Sequence, residues 1–183
     1  FEKNFIKNRF KKGESQMKGV ILAAGYATRF LPASKTIPKE MFPLIDRPAI
    51  DFIVQEMVDS GISDILLVSS RRKKVMEDYF DREVELSSAF SRSNEIKKLE
   101  VIKPINANIF TLRQQYMMGT GNALMLVEPF VDNEPFLVAY PDDVVLSEKP
   151  LAKQLIDAWE KTGNTILSVQ EFKEDQLSRY GVI

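Results

Sequence analysis

Four consecutive apolar residues at 20–23, VILA, carry no polar alternation, which fits a strand buried on both faces of a parallel sheet. A long polar loop follows. Ile50, Ile53, Val54, Met57 and Val58 then recur at helical spacing and Gly61 supplies a stop, with Asp51, Gln55, Glu56 and Asp59 on the wet face. Phe52 lies among those polar positions and so needs cover from outside the main core. Residues 65–68 predict a second buried strand, and 73–80 a short helix with Val75, Met76 and Tyr79 inward. The stretch 82–98 is polar enough to be a surface excursion, partly helical. Strands are expected again at 100–105 and 136–140, with a short helix at 121–127 between them. Leu151, Leu155, Ile156 and Trp159 mark one face of a helix that ends at Gly163, and 165–169 predict a further strand. Strands alternating with helices in this way predict an α/β fold built on a doubly wound, mostly parallel sheet.

Ligands in such sheets bind beyond the carboxyl ends of the strands, and the polar clusters of this chain fall there. Residues 25–39 follow the first strand, 69–74 the second, and Asp142 and Asp143 the strand at 136–140. One composite site is the simplest account. The first of these loops gathers Arg29, Lys35 and Lys39 with no clear helix start before Pro48. An exposed loop is an unfavourable place to collect positive charge unless an anion sits there, and a polyphosphate is the obvious one. Pro32 and Pro38 stiffen the loop, which lowers the ordering entropy still to be lost when a ligand arrives.

Composition narrows the chemistry. With 183 residues and 44% hydrophobic content, the chain can bury one substantial core. Its net charge of -1 gives no bias toward nucleic acid. The absence of Cys and His excludes disulfides, thiol nucleophiles and histidine acid–base chemistry, leaving Lys, Arg, Asp, Glu, hydroxyls, backbone N–H groups or a hard metal. No apolar run approaches the roughly 20 residues of a membrane span and no signal-peptide core is present, so a cytoplasmic protein is expected. Residues 1–16 form a basic arm with Phe1, Phe5, Ile6 and Phe10 at amphipathic spacing, read as an upstream extension of a domain at 17–183.

Each candidate group has a specific use. Gly25 lets backbone N–H groups approach a ligand, but the G-x-G-x-x-G fingerprint is absent, which argues against a dinucleotide site. Arg29 is suited to fork around phosphate oxygens, whereas Lys35 and Lys39 act as point charges. Asp142 and Asp143 resemble a magnesium foothold, since Mg2+ is usually held by one or two carboxylates together with substrate phosphates and water. The run Arg113-Gln114-Gln115, followed by Gly119-Thr120-Gly121-Asn122, puts an amide able to donate and accept beside a flexible turn at a helix start. Taken singly, a glycine after a strand, an Asp pair or a surface glutamine is more often a turn or a cap. Their company on successive strand ends is what favours a site.

The segment 22–50, LAAGYATRFLPASKTIPKEMFPLIDRPAI, closely resembles the nucleotide-binding signature of bacterial UTP-glucose-1-phosphate uridylyltransferases, and the likeness extends through RQQYMMGTGNA, AYPDD and RYGVI. The resemblance implies a Rossmann-like nucleotide-diphospho-sugar transferase fold. It implies that Leu22, Ala23, Ala24 and Gly25 line a nucleotide, and that Arg29 and Lys39 act catalytically on its phosphates. Glu40, Gln114 and Gly119 match uridine-recognising positions, Asp142 the Mg2+ ligand, and Gly181 the glycine that meets glucose. The implied reaction joins UTP and glucose 1-phosphate to give UDP-glucose and pyrophosphate, in an enzyme that is a homo-oligomer when full length.

Three departures bear on this. Ala27 stands where the family carries the second glycine of its G-x-G-T-R run, and Met118 and Asn122 stand where relatives commonly carry Lys and His. The family also continues past the position of Ile183 into a Glu-Lys pair for the sugar phosphate and a second metal carboxylate, so the chain reads as an amino-terminal portion. Two other readings stay open at this level. One is a noncatalytic paralogue that binds UTP or UDP-glucose, and the other a transferase with a different base or sugar.

Overall fold

The computed structural model describes residues 17–171. The elements run β1 (Lys18–Leu22), β2 (Pro43–Leu44), β3 (Arg47–Pro48), α1 (Ala49–Asp59), β4 (Asp64–Ser69), α2 (Lys74–Phe80), α3 (Val84–Arg92) and α4 (Ile96–Val101). They continue with β5 (Asn108–Arg113), α5 (Gly119–Met125), α6 (Glu128–Val131), β6 (Phe136–Ala139) and α7 (Leu151–Thr162). Four strands form a parallel sheet in the order β5-β4-β1-β6, while β2 and β3 make a small antiparallel hairpin. The chain winds outward from β1 to β5 and then returns to β1's other side at β6. Strand order therefore reverses between β1 and β6, the kind of switch point where ligands bind in open α/β sheets.

Alternation along the strands sends side chains to two cores. Ile21, Ile65 and Leu67 pack with Ile50, Ile53, Val54 and Met57 of α1, Met76 of α2 and Ile156 of α7. Val20, Leu22, Leu66 and Val68 pack on the opposite face with Ala123, Val127 and Val131. Coverage on both faces explains why 20–23 shows no polar alternation. Gly19 stands in this strand where α1 lies close against it: a Cβ there would come 2.7 Å from the Met57 sulfur.

Several expectations need correction. Residues 100–105 are not a strand; α4 ends at Val101, and the strand lies at 108–113. Val101 is 84% exposed, so its apolar neighbourhood has no sheet to join. The segment 165–169 forms no strand, and Leu167 and Val169 are exposed with no ladder partner among the described residues. Of the three inward positions expected in α2, only Met76 is buried, whereas Val75 and Tyr79 are exposed. The inward side of α2 is instead Met76 and Phe80, with Lys73 buried just ahead of the helix in the Arg71–Lys73 3-10 turn. The loop after β1 is not shapeless either: 3-10 turns form at Thr28–Phe30, Ala33–Lys35 and Lys39–Met41. Phe52 receives the cover its position required, with the Arg47 guanidinium 5.5 Å from its ring centroid. Residues 1–16, and with them the basic arm, lie outside the described residues.

Candidate functional site

The loop leaving β1 is folded back on itself by local contacts. Ser34 Oγ and the Phe30 N–H both donate to the Ala27 carbonyl, at 2.8 and 3.0 Å, and the Phe30 and Phe42 rings meet edge to face at 5.6 Å. Ala27 adopts a left-handed conformation, φ 53° and ψ 42°. That conformation costs an L-residue roughly 1–2 kcal/mol, and the two hydrogen bonds on its carbonyl hold it in place. The backbone here keeps a glycine-like conformation despite the added methyl. A Cβ at Gly25 would meet no atom within 4 Å, so open space lies beside the backbone at the start of the loop.

The far end of the loop is moored by a buried ion pair. Lys73, 4% exposed, donates to Glu40 Oε1 at 2.7 Å and to the Ala23 carbonyl at 2.5 Å. One ammonium thus ties the end of β1, the Lys39–Met41 turn and the segment after β4 together. Burial holds the Lys73 ammonium below the usual lysine range, with the Glu40 carboxylate opposing that shift. Glu40 is 1% exposed, and its Oε2 has no partner among the described residues. Arg72 adds a second tie by donating to the Lys35 carbonyl at 2.5 Å.

This mooring leaves Lys39 facing the switch point. Its Nζ lies 2.5 Å from Asp142 Oδ2 in the loop after β6, with the two side chains 21% and 48% exposed. A cation from the first loop and an acid from the last expected loop therefore meet across the gap between β1 and β6. Asp143 follows, its carboxyl pushed up by burial and then by the neighbouring Asp142 charge. Among the described residues no group of three or more acidic side chains converges. The donor set is a pair of hard carboxylates, both exposed, one of which already attracts a cation, and this fits Mg2+ completed by phosphate oxygens and water.

A third grouping stands at the carboxyl end of β5. The Gln114 N–H donates to the Ser69 carbonyl at 2.9 Å, which continues the β4–β5 ladder past its formal end. The Gln114 side chain, 5% exposed, donates from Nε2 to the Gly119 carbonyl at 3.2 Å and to Asn122 Oδ1 at 3.0 Å. Gly119 takes φ +87°, which a side chain would strain.

The structure thus brings Lys39 to Asp142, Ala23 to Glu40 through Lys73, and Gln114 to Gly119, with the segment 69–73 as the common neighbour. Leu22 and Ala24 are buried at the end of β1, while Arg29 is exposed on the Thr28–Phe30 turn. Gly181 lies outside the described residues. The stretch 69–74 and Asn122 were expected near the site, but no role was assigned to Lys73, Arg72 or Asn122. For Lys73 the signal was its place three residues ahead of Met76; the run RRKK at 71–74 disguised it as a solvated cationic patch.

The nucleotidyl transferase profile matches residues 18–183. The chain belongs to the nucleotidyl transferase family. The chain is 44% identical over 168 residues to a UTP-glucose-1-phosphate uridylyltransferase 2 of Staphylococcus saprophyticus and to a UTP-glucose-1-phosphate uridylyltransferase of Staphylococcus epidermidis. Each alignment covers 91% of this chain and 58% of the relative, so the chain spans somewhat over half the length of the curated relatives it matches. An apo UDP-glucose pyrophosphorylase superposes with a TM-score of 0.80 at 35% identity, over 92% of this chain and 63% of the other. A UTP-bound enzyme from Acinetobacter baumannii superposes with a TM-score of 0.75 at 34% identity, over 81% and 54%. Among the described residues no helix is long and apolar enough to cross a membrane.

Proposed function

We propose that this chain carries the nucleotide half of a uridylyltransferase that joins UTP and glucose 1-phosphate to give UDP-glucose and pyrophosphate. The observation that carries the reading is the Lys39–Asp142 pair across the β1/β6 switch point, where a cation for phosphate and a carboxylate for metal face one crevice. The relatives' names supply the substrates. In this reading the open side of Gly25 admits the triphosphate to the backbone, and Arg29 and Lys39 hold its oxygens. Asp142 would hold Mg2+, which when bound neutralises charge on the phosphate oxygens. The sugar phosphate oxygen attacks the α-phosphorus in line and pyrophosphate leaves. Its nucleophile is already ionised at neutral pH, so the chain needs positioned charge and no proton shuttle. The lack of histidine in the sequence is no obstacle.

Gln114 reads the base in this account, with Gly119 beside it, whereas Glu40, which the resemblance puts among the uridine-recognising positions, is buried on Lys73 and acts through the turn that presents Lys39. A cytoplasmic, homo-oligomeric enzyme completes the reading. The test is pyrophosphate release from each nucleoside triphosphate with glucose 1-phosphate, with and without Mg2+, in protein extended to the relatives' length. Release with UTP alone supports it. Release with dTTP or another hexose phosphate would change the substrate, and binding of UTP without any release would make the chain a nucleotide-binding paralogue.

A further inference from the structure

We infer that Asn122 is a positioning residue for base choice, because with the Gly119 carbonyl it consumes both N–H groups of the Gln114 amide and leaves that amide able only to accept. The inference rests on the reading of Gln114 as the base-reading side chain. A glutamine amide free to turn over can offer either its donor or its acceptor edge to a ligand. Here it cannot turn without loss. A backbone carbonyl only accepts, so the Gly119 oxygen at 3.2 Å requires the amide nitrogen on its side. The second N–H then lies 3.0 Å from Asn122, which must answer with its own oxygen. The polarity passes from an unflippable group, Gly119, through Gln114 to Asn122.

Gln114 Oε1 makes no hydrogen bond among the described residues. An acceptor aimed at position 3 of a pyrimidine meets the N3–H of uracil or thymine, whereas cytosine presents a lone pair there. Asn122 is partly buried on α5, one turn from Gly119, so a single helix start supplies both restraints. Turning the amide over would set oxygen against two oxygens. Removing Asn122 leaves only the Gly119 contact to resist the turn.

The test is calorimetric titration of this chain with UTP and CTP, for the wild type and for Asn122→Leu, Asn122→Ala and Asn122→Asp. Wild type should prefer UTP. Leu or Ala at 122 should reduce the UTP-to-CTP affinity ratio roughly three- to tenfold, the worth of one ordinary hydrogen bond. Asp, which keeps an acceptor in place, should leave the ratio within about twofold even if its charge weakens both nucleotides together. A purely structural role would move both nucleotides equally and leave the ratio alone. Should wild type prefer UTP while both acceptor-less variants keep its full preference, the inference about Asn122 is overturned and the uridylyl reading stands. No preference in the wild type would overturn both.

Discussion

Removing one partner of the Lys73–Glu40 pair should be among the most damaging single changes in the described part of the chain. Both side chains are almost fully buried, so deleting one leaves an uncompensated charge in the interior, which typically costs about 3–5 kcal/mol. A domain is stable by only about 5–15 kcal/mol, so a large share of that margin goes with one substitution. Glu40→Leu and Lys73→Met should each lower the urea midpoint at an unchanged denaturant slope. The double variant Glu40→Leu/Lys73→Met has no buried charge left: both Lys73 hydrogen bonds go, but only the Ala23 carbonyl is left without its partner. It should recover to within about 1–2 kcal/mol of wild type, giving a coupling energy of about 2 kcal/mol or more.

The pH dependence has a definite sign. Lys73 already has its folded pKa depressed by burial, and Glu40→Gln removes the carboxylate that opposes the shift. Between the depressed folded value and the unfolded value near 10.5, the unfolded chain binds more protons than the native one, so stability rises with pH. The deficit of Glu40→Gln should therefore be largest near neutrality and shrink toward pH 10. Single variants that each cost under 1 kcal/mol, or a double variant whose loss is the plain sum of the two, would refute the argument that this pair moors the loop.

The exposed cation beside it should behave in the opposite way. Lys39→Met breaks only a solvent-accessible pair and should cost under about 1 kcal/mol of stability, yet lower kcat about 10²- to 10³-fold in protein extended to the relatives' length; near-normal turnover would remove Lys39 from the catalytic set. Ala27→Gly releases roughly 1–2 kcal/mol of left-handed strain against about 0.4–1 kcal/mol of added unfolded-state entropy, so the variant should melt slightly higher; a lower melting temperature would show that the methyl is well accommodated. Glu56 of α1 accepts the Ala152 N–H at the start of α7 at 2.7 Å, a cap supplied from another helix. Glu56→Ala should cost about 1 kcal/mol in urea melts, and Glu56→Gln, which keeps an acceptor, less.

The sheet was legible because burial on both faces removes any polar alternation from β1 and β4, and β6, although only Leu137 in it is buried, is apolar throughout; few other structures need such short uninterrupted apolar runs. The edge strand β5 escaped for the converse reason. Ile109 and Phe110 are only partly covered there, with Thr111 and Arg113 among them, so NIFTLR reads as a mixed surface segment. The apolar pair Val101 and Ile102 then drew the expected strand a few residues too early, into what is a helix end. At 165–169 the pattern alone suggests a strand, but a strand needs a neighbour, and among the described residues none pairs with it.

The site divides along a similar line. Groups that face solvent around a strand end, Lys39 and Asp142, were visible because charge collected beyond an apolar run invites a question that sequence can pose. Lys73 was hidden because a lysine beside Arg71, Arg72 and Lys74 looks like one more solvated charge. Only its place at the join of the Arg71–Lys73 3-10 turn and α2, three residues ahead of Met76, turns it inward, where its ammonium becomes a structural tie. The same loop therefore uses its cations in two ways: a buried one that fixes where the turn sits, and an exposed one that the turn presents to the crevice. The two are separated by measurement, since the first should move stability and the second should move turnover, and the Lys39–Met41 turn is what couples them.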